Sequence, residues 1–328
     1  MRIAVLGAGA WGTAFAVHCA ARAEVGLWTR HPEHAARMRR DGRNEQYLPG
    51  IALGPVAVHE DLAACAGAAD LWVIATPTAG LRGTLRALRT AGLARPFVWL
   101  CKGFEAGSGK LPHQVAEEEW GDSTPYGVLS GPSFAIEVAR HQPTAVTLAA
   151  RDGEFARGTA QALHNQRLRI YSSTDLVGVE VGGAVKNVLA IAAGIADGFG
   201  FGLNARAALI TRGLAEITRL GVKLGGRTET FLGLSGVGDL ILTCTGDLSR
   251  NCKVGTLLSQ GLDLAAILHE LGHVAEGVHT AAEVAALAER LDVDMPITQA
   301  VQHILAGRLP ARQAVEALLG REQKAEGP

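Results

Sequence analysis

The segment RIAVLGAGAWG, at residues 2–12, decides the fold of the first half of the chain. Its first part, RIAVLG (2–7), is a continuous apolar run, as expected for a parallel strand that is buried on both faces. Its second part, GAGAWG (7–12), leads directly into an Ala-rich stretch that ends near Arg22. The segment therefore predicts a strand, a tight turn and a helix, in the order of a nucleotide-binding βαβ unit.

Three glycines of this turn, Gly7, Gly9 and Gly12, have the G-x-G-x-x-G spacing. In this fingerprint the first glycine allows the tight turn, the second lets a pyrophosphate approach the backbone, and the third lets the helix pack on the strand. The free N–H groups and the dipole of the helix N-terminus would hold the pyrophosphate. We therefore predict a dinucleotide cofactor at this turn.

The second predicted strand, EVGLWTR (24–30), bears on which dinucleotide is bound. NAD-specific domains usually carry an acidic residue at the end of this strand, where it bonds the ribose 2′-OH. This chain has Arg30 there, followed by His31. An arginine at this position can accommodate the 2′-phosphate of NADP, and the alternative is a surface arginine without that role. The cofactor is therefore predicted to be NADP(H) or NAD(H).

Further apolar runs alternate with helices, which predicts a doubly wound parallel sheet. Ligands of such sheets bind beyond the carboxyl ends of the strands. Lys102 follows one of these ends, so we expect it near the cofactor or an anionic substrate. The predicted strands are 70–77, 97–103, 126–133, 143–150 and 167–173, with Thr76-Pro77, Lys102-Gly103 and Gly131-Pro132-Ser133 at strand ends.

The stretch GVEVGGAVKNVLAIAAGIADG (178–198) places Lys186 within an apolar segment that has helical periodicity and no proline. A buried ammonium group is costly unless it is paired or used, and burial lowers the pKa of a lysine, which prepares it for proton transfer. The alternative is a lysine whose stem packs while its head reaches water. The small residues Gly182, Gly183 and Ala184 would let another chain or a ligand approach closely.

Helical patterns dominate after Asp175. We therefore predict an α/β fold with an N-terminal doubly wound Rossmann-type domain over residues 1–175 and an all-helical C-terminal domain over residues 176–328. The predicted helices are 176–198, 205–223, 251–260, 263–271, 279–291, 296–306 and 310–319.

Two polar sites are predicted within the helical half. The Gly-rich segment SGVGD (235–239) is expected to form a tight turn that fixes Asp239. At SRN (249–251), Ser249 is expected to cap a helix whose free N–H groups, together with Arg250 and Asn251, bind phosphate. A plain N-cap and a solvated arginine are the alternatives.

Composition limits the classes of partner. The 328 residues carry a formal net charge of −1, which disfavours nucleic acid or an anionic membrane as the main partner. The five cysteines form no C-x-x-C and are read as reduced packing residues of a cytoplasmic protein. The first strand begins at Arg2, which leaves no room for a signal peptide. Lys186 and Asp197 interrupt the best membrane-span candidate, so no stable membrane insertion is expected.

Two motifs resemble unrelated sites. GFEAGSGKL (103–111) departs from a P-loop in the position of its first glycine and in Leu111, which replaces the Ser or Thr that holds Mg²⁺. HELGH (269–273) matches a zinc-protease motif, but the expected glycine is displaced to Gly277 and no further zinc-site context follows. We therefore predict no metal site.

Taken together, these motifs resemble the bacterial-type NAD(P)-dependent glycerol-3-phosphate dehydrogenases over nearly the whole chain. Mild departures are Ala10, TPT (76–78) and Gly246, where the family often has Ser, VPS and Ser; Ala10 could remove one hydroxyl contact to the cofactor. The segments that carry the resemblance are GAGAWGTA (7–14), NEQYLPG (44–50), KGFE (102–105), SGPSFAIEVA (130–139), 178–198, NARAALITRGL (204–214), GLSGVGDLILTCT (233–245), SRN (249–251) and VAEG (274–277).

The resemblance implies reversible hydride transfer between nicotinamide C4 and C2 of dihydroxyacetone phosphate, which gives sn-glycerol 3-phosphate for phospholipid synthesis. It also implies a homodimer, with Lys186 as the proton donor and acceptor. The implied substrate contacts are Lys102, Gly131, Ser133, Lys186, Asp239, Ser249, Arg250 and Asn251. The cofactor contacts, from the resemblance and the strand-end positions, are Gly7, Gly9, Trp11, Gly12, Arg30, His31, Lys102, Ala135, Arg250, Val274 and Glu276.

Two rival functions remain open from sequence. A related two-domain dehydrogenase of another hydroxy acid would not need the phosphate site at Arg250 and Asn251. A non-catalytic NAD(P)-binding redox sensor would keep the glycines but would have no reason to keep Lys186, Asp239 and SRN together.

Overall fold

The computed structural model describes residues 1–121, 124–271 and 275–321. Its first half contains one eight-stranded sheet with the order β3-β2-β1-β4-β5-β6-β7-β8. The strands are β1 (Arg2–Leu6), β2 (Glu24–Trp28), β3 (Ala57–His59), β4 (Leu71–Ile74), β5 (Phe97–Trp99), β6 (Tyr126–Ser130), β7 (Thr144–Ala150) and β8 (Leu168–Ser173).

Helices lie between these strands, which confirms the α/β Rossmann-type prediction. The strands β1 to β6 pair in parallel, and β1 lies between β2 and β4, where the strand order reverses. The helices are α1 (Ala10–Cys19), α2 (Pro32–Asp41), α3 (Leu62–Gly67), α4 (Thr78–Thr90), α5 (Pro112–Trp120), α6 (Ala135–Ala139) and α7 (Gly153–Leu163).

One strand departs from the predicted parallel sheet, because β7 pairs antiparallel with β6. A parallel return needs a crossover that carries the chain back to the other end of the sheet. The connection from β6 to β7 contains only the five-residue α6, and the chain re-enters the sheet from the end at which it left. The short edge strand β3 was also missed, because its three residues carry no extended apolar run.

The described residues after Ser173 form helices and connecting turns, as predicted. We propose Asp175, which caps the first of these helices, as the boundary between the two domains. The elements are α8 (Leu176–Gly198), α9 (Gly202–Lys223), α10 (Thr228–Phe231), a π-helical turn (Leu234–Gly238), α11 (Asp239–Thr245), α12 (Arg250–Ser259), α13 (Leu264–Leu271), α14 (Glu276–Arg290), α15 (Pro296–Leu305) and α16 (Ala311–Leu319).

The central helix of this half is α8, which is apolar on nearly every side and buried from Gly178 to Ala196. A helix that is hydrophobic all round belongs to a core or a membrane. By length and composition α8 could cross a membrane, so the prediction that Lys186 and Asp197 interrupt this candidate span was wrong. A bent pair of segments, Thr228–Thr245 and Arg250–Ser259, is also long and apolar enough when the two are taken together. The apolar window of α8 is 94% buried, which identifies it as the core helix of this half.

Small residues of α8 explain how so many elements pack against it. A Cβ at Gly182 would collide with the backbone of Ser235 in the π-helical turn, and one at Gly194 would collide with the backbone of Cys252 in α12. Of the small residues predicted to admit a ligand or another chain, Gly182 therefore admits the protein's own backbone, and Gly183 lies against the side chains of Ser130 and Lys102.

Candidate active site

The glycine turn lies between β1 and β4, at the carboxyl edge of the sheet. Gly7 has φ +128°, and a Cβ there would lie 2.6 Å from the carbonyl carbon of Ala75. A Cβ at Gly12 would overlap the Gly7 oxygen, whereas one at Gly9 would meet nothing within 4 Å. Two glycines thus serve packing, and Gly9 leaves open space where a phosphate would approach.

The N-terminus of α1 is suited to an anion. Its N-cap, Gly9, supplies no side-chain hydrogen bond, so the first N–H groups keep their donor capacity. The half-buried Trp11 stands in this first turn, with its ring 5.9 Å from that of Phe15. The geometry agrees with a dinucleotide pyrophosphate at this helix end.

Asn44 supports this turn, and sequence reasoning gave it no role. Its side chain is buried and donates to the carbonyl oxygen of Ala8 at 2.9 Å and to Thr13 Oγ1 at 2.7 Å. His34 donates to Asn44 Oδ1 at 2.9 Å. The only signal available from sequence was its place in the family segment NEQYLPG, without a function attached.

The predicted ribose-side residues lie beyond β2. Arg30 and His31 are both exposed, and Arg30 Nε donates to His31 Nε2 at 3.1 Å. Ala135 begins α6, which packs on α1. Val274 lies outside the described residues.

Lys186 and Lys102 meet on one carboxylate. Lys186 is 7% exposed and Asp239 is 1% exposed. The Lys186 ammonium donates to Asp239 Oδ1 and, at 2.9 Å, to Thr243 Oγ1. Lys102 donates to Asp239 Oδ2 at 2.7 Å and to the Gly131 carbonyl at 3.1 Å. The structure therefore brings together four of the predicted site residues, Lys102, Gly131, Lys186 and Asp239, and adds Thr243.

Burial dominates the electrostatics of Lys186 and lowers its pKa from 10.5 to about 8. The positive charge of Lys102 acts in the same direction, while Asp239 and Glu276 favour the ammonium form. An amine with a pKa near neutrality can both give and accept a proton. The alternative of a lysine whose head reaches water does not fit this burial.

The backbone structure that positions Asp239 differs from the prediction. The segment SGVGD was expected to form a tight turn, but Leu234–Gly238 form a π-helical turn and Asp239 begins α11. Such π segments are rare and are frequent at functional sites. The widened turn packs on Gly182 and places the Asp239 carboxylate between the two lysines.

Gly131 and Ser133 lie at the end of β6, beside Lys102. Gly131 has φ +141°, and its carbonyl oxygen accepts from Lys102 Nζ and, at 3.0 Å, from Ser133 Oγ. The strand end thus fixes the ammonium group of Lys102 from one side while Asp239 fixes it from the other.

The SRN segment forms the start of α12, as predicted. Ser249 caps the helix by accepting from the Cys252 N–H at 3.3 Å, and Arg250 is exposed in the first turn. Asn251 was expected to face phosphate, but its amide donates to Asn187 Oδ1 at 3.1 Å and accepts from the Gly277 N–H at 3.1 Å. Its oxygen and one of its N–H groups are thus engaged within the protein.

Glu276 and Asn187 complete this network. Asn187 Nδ2 donates to Glu276 Oε2 at 3.4 Å, so the residue after Lys186 links α8 to α14. Burial raises the pKa of Glu276, while the charges of Arg250, Lys102 and Lys186 oppose that rise. Sequence reasoning gave no role to Asn187 or Thr243, because no motif marks either side chain as part of a site.

The motif that resembles a P-loop, residues 103–111, lies in the connection from β5 to α5. Its Lys110 pairs there with Glu118. Gly272 and His273 of the zinc-like motif lie outside the described residues. Within the described ranges, no three metal-ligating side chains come together. All five cysteines are free, as predicted.

Comparisons of the sequence with protein families and with individual proteins lead to the same family. Sequence profiles described as NAD-dependent glycerol-3-phosphate dehydrogenase N-terminus and C-terminus match residues 2–156 and 175–316. The glycerol-3-phosphate dehydrogenase (NAD(P)+) of Nitrosospira multiformis is 60% identical over 99% of this chain and 99% of its own length. That of Aromatoleum aromaticum is 60% identical over 99% of this chain and 100% of its own.

A solved structure agrees with these relatives. The crystal structure of glycerol-3-phosphate dehydrogenase from Coxiella burnetii is 40% identical in sequence. It superposes with a TM-score of 0.93 and covers 98% of this chain and 99% of its own.

Proposed function

The chain belongs to the NAD-dependent glycerol-3-phosphate dehydrogenase family, and we propose that Lys186 transfers the proton in the reaction of that family. The chain is an NAD(P)-dependent oxidoreductase that interconverts dihydroxyacetone phosphate and sn-glycerol 3-phosphate. The observation that carries the role of Lys186 is its buried amine, which shares the Asp239 carboxylate with Lys102.

The residues at the carboxyl edge of the sheet fit a dinucleotide. The open space at Gly9 and the uncapped N-terminus of α1 suit a pyrophosphate, and Arg30 and His31 stand where the ribose of the adenosine half would lie. The family resemblance adds further cofactor contacts, which are Trp11, Lys102, Ala135, Arg250 and Glu276. The bound nicotinamide supplies the hydride to C2 of the ketone, or accepts it in reverse.

Lys186 acts on the C2 oxygen of the substrate. In reduction this oxygen gains negative charge, which the ammonium groups of Lys186 and Lys102 stabilise, and Lys186 delivers the proton. Asp239 and Thr243 aim the amine, because each accepts one of its N–H bonds. In oxidation the neutral amine takes the hydroxyl proton.

Arg250 binds the phosphate in this proposal. It is exposed at the start of α12, where the guanidinium adds to the N–H groups and dipole of a helix N-terminus. The family resemblance adds further substrate contacts, which are Lys102, Gly131, Ser133, Ser249 and Asn251. Asn251 contributes mainly by holding Asn187 and Gly277, given its hydrogen bonds within the protein.

The first experiment is a nicotinamide absorbance assay with dihydroxyacetone phosphate, run once with NADPH and once with NADH. Loss of the absorbance of the reduced nicotinamide is expected with either cofactor. Cofactor binding without turnover, in the presence of turnover of another hydroxy acid, would support the rival dehydrogenase.

The pH profile tests the state of Lys186. Oxidation needs the neutral amine, whose fraction rises with pH, so kcat/KM for oxidation should rise up to a pH of about 8 and then level off. Reduction needs the ammonium, so its kcat/KM should fall above the same pH. The measurement is kcat/KM against pH in both directions, with 2-deutero glycerol 3-phosphate as a check that hydride transfer limits the rate of oxidation. A flat oxidation profile with a full isotope effect would contradict the role.

Replacing Arg30 by Gln tests cofactor choice. Charge-assisted hydrogen bonds contribute about 1.5–3 kcal/mol, so kcat/KM for NADPH should fall about 10- to 100-fold, and that for NADH should change less than about 3-fold. The matched control is Arg37→Gln, an exposed arginine on α2. Equal losses with both cofactors would reject a 2′-phosphate contact.

The cellular role follows from the product. We propose a cytoplasmic homodimer, without stable insertion into the membrane, that supplies sn-glycerol 3-phosphate for glycerophospholipid synthesis. The support is the match to bacterial relatives over the whole chain and the burial of α8.

A further inference from the structure

A second buried carboxylate on α8, that of Glu180, has no part in the mechanism above. Glu180 is 4% exposed and lies about two turns before Lys186 on the same helix. Its Oε1 accepts from Trp99 Nε1 at 3.1 Å and from the backbone N–H of His113 at 2.9 Å. Its Oε2 accepts from His113 Nδ1. All three donors belong to the first half of the chain.

The two partners of Glu180 flank the segment that carries Lys102. Trp99 is the last residue of β5, and His113 lies in the first turn of α5. Residues 100–111 connect them, so one carboxylate holds both ends of this connection. Its middle is held separately, because Arg82 binds both oxygens of Glu105 at 2.8 and 2.7 Å.

Close packing between α8 and Lys102 links the hydrogen bonds of Glu180 to the active site. Gly183, one turn after Glu180, lies against Lys102, since a Cβ there would be 3.5 Å from Lys102 Cδ. Lys102 and Lys186 then meet on the two oxygens of Asp239. A shift of the connection relative to α8 would therefore change the separation of the two ammonium groups.

We propose that Glu180 is a positioning residue, which fixes the Lys102 connection to α8 and thereby sets the arrangement of Lys102 and Lys186 around Asp239. This inference rests on the roles proposed above for the two lysines. Glu180 acts through them and does not touch the substrate.

The arrangement of the two lysines can be measured from the pH at which oxidation rises and reduction falls. We call this part of the pH profile the alkaline limb. The charged groups that face Lys186 are Asp239 from α11, Lys102 from the connection and Glu276 from α14. Lys102 lowers the pKa of Lys186, so a Lys102 that moves away lets that pKa rise. A loosened connection should therefore shift the rise of the oxidation rate to higher pH.

The test compares Glu180→Gln with Glu216→Gln. Glu216 is a matched control, because it is 1% exposed and accepts the backbone N–H groups of Ile297 at 2.7 Å and Thr298 at 3.1 Å at the start of α15. Glu180→Gln should lower kcat/KM for dihydroxyacetone phosphate about 10-fold or more, since small displacements of catalytic groups are costly. It should also move the alkaline limb upward, while Glu216→Gln should leave both unchanged.

Thermal melts of Glu180→Gln and Glu216→Gln show whether the two variants are equally stable, so that a difference in activity is not a difference in folding. An unshifted limb in folded Glu180→Gln, or an equal loss of activity in Glu216→Gln, would overturn the proposal. If Glu180→Gln does not fold, His113→Leu removes one of the three donors and should shift the limb in the same direction, while His113→Asn keeps a donor and should restore it; failure of this pattern also overturns it. Retained turnover in a Lys186 variant would instead reject the proposed proton transfer itself.

Discussion

The Lys186→Met enzyme is expected to lose about 10³-fold or more of its turnover in both directions while it still binds NADPH. A positioned general acid or base contributes about 10²- to 10⁴-fold, and this variant also removes one of two cations beside the developing oxyanion. The dinucleotide turn at Gly7 to Gly12 is built from other residues, so cofactor binding has no reason to fail. Single-turnover rates and NADPH fluorescence titration measure the two effects.

Methionine suits this test because it keeps the length of the buried side chain and removes the charge. Asp239 keeps Lys102 as a partner, so its carboxylate is not left unpaired. The control is Lys223→Met, an exposed lysine at the end of α9, which should behave like the wild type. Near-normal turnover of Lys186→Met would end the assignment.

The Arg250→Ala enzyme is expected to lose about 100-fold or more in kcat/KM for dihydroxyacetone phosphate. A guanidinium that binds phosphate through two N–H groups forms two charge-assisted hydrogen bonds, each worth about 1.5–3 kcal/mol. Dihydroxyacetone lacks the phosphate, so its much lower kcat/KM should change less than about 3-fold. The measurement is the ratio of kcat/KM for the two substrates in each enzyme.

A control separates a direct contact from a general loss of positive charge. Lys253 is exposed on the same helix, one turn after Arg250. Lys253→Ala should affect the phosphate ester less than about 3-fold, because exposed charges are screened. Equal losses of kcat/KM for both substrates in Arg250→Ala would show that Arg250 does not act by binding the phosphate.

The elements with strong periodicity could be predicted from sequence. The bounds of the helix that carries Lys186 agree with the prediction, 176–198, because Asp175 caps its start and its apolar pattern is unbroken. The glycine turn could be predicted because the spacing of its glycines stands between an apolar strand pattern and a helical stretch. The reversal of β7 could not be predicted, because strand direction depends on the path of the connection and leaves no mark in composition.

The site itself was only partly predictable. Lys186, Lys102 and Asp239 were singled out, but their meeting on one carboxylate depends on packing between distant segments. The π-helical turn before Asp239 was missed, since a Gly-rich segment predicts a loop equally well. The use of Asn251 by Asn187 was missed because sequence does not show which of several possible partners an amide takes.

The burial of α8 has a consequence for the order in which the protein comes apart. Local opening is easiest where few apolar contacts hold a segment, and hardest in the most enclosed elements. The reacting amine is carried by an element of the second kind, while Arg250 and Arg30 lie on exposed helix and strand ends. Partial unfolding would thus release the grip on the ligands before it disturbs the proton-transferring group, so a warmed enzyme would first lose affinity and only afterwards its chemistry.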